Sequence, residues 1–131
     1  MTQQLAPKWN EPAIRVLMMP RDTNAHGTIF GGVILSYIDQ AGAIEARRQG
    51  SRLMVTVSMD KIVFHAPVFV GDLVSFWTET LRIGTTSITT KVMVDSIRSA
   101  SRERVMVTEA QVVYVNVDEN GRPTPIRSAE S

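Results

Sequence analysis

The stretch GGVILSYIDQAGAIEARRQG, residues 31–50, carries the one convincing helical pattern in the chain, and its reading decides the fold. Ile34, Tyr37, Ile38, Ala41 and Ile44 recur at three- and four-residue spacing, which lines them up as an apolar stripe on one helix face. Arg47 and Arg48 fall in the last turn, where positive charge complements the negative end of the macrodipole. Gly50 follows as a left-handed stop. The pattern therefore predicts a single helix between Gly31 and Gln49.

On the N-terminal side, AIRVLMM is short, apolar and closed by Pro20, so it reads as a first strand at a sheet edge or buried on both faces. RDTNAHGT then has the composition of a loop that runs into the glycine pair. On the C-terminal side, from Leu53, long runs of Val, Ile, Thr, Met and Phe are broken by turn signals at Val70-Gly71-Asp72, Ile83-Gly84-Thr85 and Ala100-Ser101. These predict strands at about 53–65, 73–83, 86–98 and 103–117, with connections short enough to demand antiparallel pairing. One strand, one long helix and a four-strand meander make an α+β layer. The helix lies in the concave side of a curved antiparallel sheet of about five to six strands, the layout of a hotdog fold.

The 131 residues suit one domain, spanning 1–131, with residues 1–11 and 119–131 expected as flexible ends. A hydrophobic content of 44% with 21% charged residues is enough for a packed core and excludes a disordered chain. Fourteen Lys and Arg against thirteen Asp and Glu give a net charge of +1, which argues against nucleic acid and anionic membrane surfaces as partners. The absence of cysteine removes disulfides, thiol nucleophiles and cysteine metal sites, and points to a cytoplasmic address. MTQQLAPKWNEP does not resemble a secretory leader, and no apolar run is long enough to suggest membrane insertion.

Chemistry concentrates in residues 22–42. Gly31 and Gly32 set bare backbone at a helix start, where unpaired N–H groups and the positive end of the dipole suit a developing oxyanion. A tight turn or close packing on the sheet would call for the same two residues. Asp39 stands inside the helix at the edge of the apolar stripe, either a general base or an ordinary carboxylate paired with backbone or with Arg47. Eight residues separate Gly31 from Asp39, roughly 12 Å at about 1.5 Å per residue, so one helix cannot bring both to one carbonyl carbon. A two-fold dimer with antiparallel helices would, with the glycine end of one chain facing the aspartate of the other.

Asn24 can orient a water or close an Asx-turn, and His26 is either a substrate contact or a surface residue. His65, at a strand end, reads as structural. Two histidines so placed give no metal-ligand spacing, so no metal is expected. Glu45 lies nearer the centre of the stripe than Asp39 and rivals it on a helical wheel. Its position near the helix end points to solvent or to Arg15, Arg48 or Arg52. RIGTTS, with Arg82, Gly84, Thr85, Thr86 and Ser87, is either a phosphate-binding hairpin or only a turn. No Walker-type loop or dinucleotide fingerprint is present.

RVLMMPRDTNAHGTIFGGVILSYIDQAG, VSMDKIVFHAPVFVGDLVSF, RIGTTSITTKVMV and VTEAQVVYV, in this order, resemble the hotdog-fold acyl-CoA thioesterases of the bacterial YciA-like and cytosolic acyl-CoA hydrolase group. The resemblance spans about residues 14–117. It implies hydrolysis of fatty acyl-CoA to free acid and coenzyme A, with no cofactor because coenzyme A is part of substrate and product. It implies that Asp39 activates water or attacks the thioester, that Asn24 assists, and that the Gly31-Gly32 amides polarise the carbonyl. It further implies a homodimer with shared sites, three such dimers being assembled into a hexamer as is common in the family, and coenzyme A bordered by Met59, Asp60, Lys61 and Gly84 to Ser87. Glu45 departs from the family pattern, where an apolar residue is usual. A noncatalytic acyl-CoA sensor and a hydroxyacyl dehydratase using His26 are the competing readings.

Overall fold

The computed structural model describes residues 10–126. Its elements are β1 (Ile14–Leu17), a 3-10 turn (Pro20–Asp22), α1 (Gly31–Arg48), β2 (Met54–Asp60), β3 (Leu73–Ile83), β4 (Ser87–Ile97) and β5 (Arg104–Asn116). All neighbouring strands pair antiparallel in the order β1-β3-β4-β5-β2, so the sheet has five strands and the short β1 sits at one edge.

The helix boundaries match the sequence signals. At its end, the Gly50 N–H donates to Arg47 O (3.0 Å) and the Ser51 N–H to Ala46 O (3.0 Å), with Gly50 at φ 108°. That pair of bonds satisfies carbonyls of the last turn and needs the left-handed residue that glycine provides. The buried face differs from the expected stripe by one position: Ile34, Ile38, Ala41 and Glu45 are buried, while Ile44 is 37% exposed. Ile34 and Ile38 pack with Phe76, Ile88, Val92, Val94, Val112 and Tyr114 of the sheet. Complete burial of a side chain such as Ile38 contributes about 1.5–3 kcal/mol, which anchors α1 across the strands.

Two expectations are corrected. The second strand does not run to residue 65: it ends at Asp60, and Lys61 adopts a left-handed φ of 57° that breaks the pleat. The chain beyond still follows β5, with the Thr108 hydroxyl donating to Val63 O (2.7 Å) and the His65 N–H to Val107 O (2.8 Å). The C-terminal stretch is likewise not a frayed end through its described part. Asp118 Oδ1 accepts from the Asn120 N–H (2.9 Å) and Arg122 N–H (3.0 Å), and Gly121 takes φ 78°, so the chain reverses. The Thr124 N–H then donates to Asn116 O (2.9 Å) and the Ile126 N–H to Thr85 O (2.9 Å), while the Ile126 side chain joins the core. The Asn116 amide adds bonds to Thr124 O (3.1 Å) and Pro125 O (3.3 Å), so a polar segment is docked by backbone bonds and one apolar side chain together. Residues 1–9 and 127–131 of the expected flexible ends lie outside the described residues.

Candidate active site

The helix start opens on a cavity of about 370 Å³, walled by Gly31, Ile34, Phe64, His65 and Val68 among others. Two backbone bonds hold this corner: the Phe30 N–H donates to Asp22 O (2.8 Å) and the Ile29 N–H to Val68 O (2.8 Å). Phe30 occupies the N-cap position and offers no side-chain hydrogen bond, so no cap competes for the first amides of α1. The two glycines divide the roles left open by the sequence. A Cβ on Gly32 would stand 2.6 Å from the ring of the exposed Phe30, which would have to turn aside to admit it. A Cβ on Gly31 would meet nothing nearer than Phe64 at 4.0 Å, and neither glycine has a positive φ. Gly31 is therefore bare where the fold does not require it, beside the cavity.

Asp39 lies half-buried on α1, and its carboxylate is held by hydroxyls rather than by Arg47. The Thr56 hydroxyl donates to Asp39 Oδ1 at 2.8 Å, and the Tyr114 hydroxyl reaches Asp39 O at 2.6 Å and Oδ1 at 3.1 Å. Thr56 and Tyr114 face one another across the β2–β5 pairing, immediately before a register shift between Thr56 and Ser58. Such irregularities re-aim side chains next to sites. Burial, then the adjacent Asp39 charge and its hydrogen bond, push the Tyr114 hydroxyl far above the ordinary phenol range, against a smaller opposing effect of the Ala43 amide. Tyr114 is thus a neutral donor. Neither Thr56 nor Tyr114 stands out in the sequence, because cross-strand register is not written in a local motif.

Asn24 closes the turn that shapes the approach to the helix. Its Oδ1 accepts from the His26 N–H (2.8 Å) and the Thr28 N–H (3.3 Å), and its Nδ2 donates to Thr28 Oγ1 (2.9 Å). Among the described residues, no contact joins Asn24 to Asp39. The His26 side chain is exposed on this loop.

Glu45, the rival carboxylate, does not reach solvent: it is 1% exposed. The Thr78 hydroxyl (3.1 Å), the Thr80 hydroxyl and Gln49 Nε2 (3.3 Å) donate to it, and Arg48 Nε lies 3.7 Å away. Of the three arginines expected near it, Arg48 is the partner. This closed cluster leaves no room for a reacting group.

Met59 is partly buried at the end of β2, with Asp60 and Lys61 exposed beside it. In the β3–β4 hairpin, the Gly84 N–H already donates to Ser87 O (2.8 Å), and the carbonyls of Thr85 and Thr86 accept from Ile126 and Asn116. Arg82 and Thr85 remain exposed there. The two groups sit apart, since Met59 pairs with Val112 of β5 while Ser87 lies opposite Val115. Among the described residues no cluster of three His, Cys, Asp or Glu could hold a metal ion, and no helix is long and apolar enough to cross a membrane.

The model of the thioesterase superfamily matches residues 26–98, which include the glycine pair and Asp39. The acyl-CoA thioester hydrolase YciA of Salmonella typhimurium is 41% identical over 119 residues, 88% of this chain and 90% of that one. A hexameric hotdog-fold thioesterase of Campylobacter jejuni superposes with a TM-score of 0.85 at 45% identity, covering 90% of this chain and 91% of that one. An acyl-CoA hydrolase of Staphylococcus aureus, solved with butyryl coenzyme A, coenzyme A and coenzyme A disulfide, gives a TM-score of 0.79 at 26% identity, covering 88% and 70%. One long helix against a five-stranded antiparallel sheet is the architecture this chain shares with the Campylobacter jejuni structure, and the chain belongs to the thioesterase superfamily as a hotdog-fold member.

Proposed function

We propose that the protein hydrolyses acyl-CoA thioesters to the free acid and coenzyme A, in a site shared between two chains. The observation that carries this reading is the Asp39 carboxylate, half-buried and held on one oxygen by Thr56 and Tyr114, on the same helix whose start opens uncapped on a cavity. The substrate class follows from relatives named for acyl-CoA hydrolysis and from one solved with butyryl coenzyme A.

The thioester carbonyl docks on the Gly31 and Gly32 amides of one chain, and Asp39 of the facing chain takes a proton from water as it attacks the carbonyl carbon. The amides stabilise the oxyanion. Collapse of the tetrahedral intermediate breaks the C–S bond, and the coenzyme A thiolate leaves with the proton that Asp39 had taken. Asn24 spends one amide hydrogen on Thr28, and its second is available to the water. Met59, Asp60, Lys61 and the Arg82 to Ser87 hairpin border the coenzyme A, with His26 at the mouth of the loop. Among the described residues nothing pairs with the outer side of β2, which exposes Val55 and Val57 (49% and 59%), and edge-to-edge pairing of two copies would cover it. The hexameric Campylobacter jejuni relative supports three such dimers in one assembly.

Thiol release from short, medium and long acyl-CoAs tests the reading without background, because the chain has no cysteine. Wild type should turn over saturably. Asp39→Asn, which keeps the shape of the side chain, should lose about 10²- to 10⁴-fold in kcat with an unchanged circular dichroism spectrum. Near-normal kcat in the folded variant would remove Asp39 from the mechanism, and tight binding without release by wild type would mark a sensor.

A further inference from the structure

The Tyr114 hydroxyl, buried beneath the helix, has no part in the chemistry above, yet it touches the reacting side chain. We propose that Tyr114 is a positioning residue for hydrolysis: its hydroxyl pins one oxygen of the Asp39 carboxylate and so presents the other to the water. The inference rests on the reading of Asp39 as the base.

Three observations converge. The first is which oxygen is held: the Thr56 hydroxyl donates to Oδ1 at 2.8 Å, the single Tyr114 proton is shared between Oδ1 at 3.1 Å and the Asp39 carbonyl at 2.6 Å, and among the described residues no donor reaches Oδ2. Two donors on one oxygen fix the torsion of the carboxylate, which otherwise turns broadly about its terminal bond. The second is how firmly Tyr114 itself is held. It is 1% exposed in the core, its strand position is set by pairing with Thr56 and Ile88, and its hydroxyl is tied to the Asp39 carbonyl at 2.6 Å. The hydroxyl thus ties the carboxylate to the backbone of the same residue.

The third is Gly42, three residues beyond Asp39. A Cβ there would stand 2.4 Å from the Tyr114 hydroxyl, 3.1 Å from its ring and 3.0 Å from Thr90 Oγ1. The missing side chain is what lets a strand tyrosine reach the helix backbone. The protonation state agrees: burial and the Asp39 charge keep the phenol neutral, so it donates and does not set a second negative charge beside the base.

The test compares wild type, Asp39→Asn, Tyr114→Phe, Gly42→Ala and the Gly42→Ala/Tyr114→Phe pair as full-length protein, with butyryl coenzyme A as the probe substrate and a melting curve for each. Tyr114→Phe should lower kcat about 10- to 100-fold with KM within about threefold, as expected when an interaction acts on the base and not on substrate binding. Gly42→Ala keeps the hydroxyl but displaces it, and should lose kcat to a similar degree. The pair should lose no more than either single change, because both remove one contact. If Tyr114→Phe fails to fold, the kcat of Gly42→Ala decides. A kcat within about twofold of wild type in either folded variant, a loss carried by KM, or losses that multiply in the pair would overturn the proposal. Retained activity in Asp39→Asn would overturn the general-base reading and this inference with it, whereas an inactive Asp39→Asn beside a fully active Tyr114→Phe would overturn the role of Tyr114 alone.

Discussion

Two carboxylates compete on α1, and their partners separate them. Glu45 is enclosed by two threonine hydroxyls, a glutamine amide and Arg48, whereas Asp39 has one oxygen held by hydroxyls and stands half-buried. Helical spacing placed Glu45 nearer the centre of the apolar stripe than Asp39, as its burial bears out, but its place near the helix end pointed to solvent because the wheel does not show that Thr78 and Thr80 of a distant strand cover that turn. The acid and glycine positions were legible as residue types in a pattern. Their partners Thr56 and Tyr114, which come from strands 17 and 75 residues away, were not. The Tyr114 contact also predicts an alkaline signature. Its folded-state pKa is raised above the ordinary phenol value of about 10, so its contribution to stability is complete below that pH and is lost as pH rises further. Denaturant unfolding between about pH 9 and 11 should show wild type losing stability faster than Tyr114→Phe, with the difference approaching about 1.4 kcal/mol per pH unit. Parallel slopes would mean that the phenol is not held neutral by the fold.

At the level of elements, α1 was readable at both ends because its stop signals are local: two arginines, then a glycine that takes the left-handed conformation. What failed was non-local. The end of β2 depends on Lys61 leaving the pleat, and the docked tail depends on Ile126 meeting Thr85 of a distant hairpin. The one-position difference along the helix face, from Ile44 to Glu45, has the same origin, since Thr78 and Thr80 of β3 supply the hydroxyls that make a buried glutamate tolerable there. Glu45→Ala should accordingly cost about 3–5 kcal/mol, because it leaves buried partners without their charge. Glu45→Leu combined with Thr78→Val and Thr80→Val removes the carboxylate together with its two hydroxyl donors, leaves only Gln49 and Arg48 of the polar set, and should recover part of that stability in urea unfolding. A triple variant as unstable as Glu45→Ala would show that packing, not the unpaired polar groups, dominates the site.

For the whole molecule, the decisive geometry is the separation between the helix-start amides and the carboxylate. Eight helical residues, about 12 Å, are too many for one thioester carbonyl, and one chain leaves both β2 and the helix-start cavity open. The sequence carried this distance as soon as the helix was recognised, and the fold gave it an edge strand through which a second copy can pair. The most direct measurement is subunit complementation. Asp39→Asn and Gly31→Phe, each inactive as a homo-oligomer, are unfolded together, refolded as a mixture and assayed for thiol release. If each site takes its amides from one chain and its carboxylate from the other, half of randomly formed dimers are hybrids with one intact site, and activity should return to about a quarter of wild type. No recovery in a mixture whose hybrids are present by mass spectrometry would contradict a shared site and put amides and carboxylate of one chain to work on the same thioester.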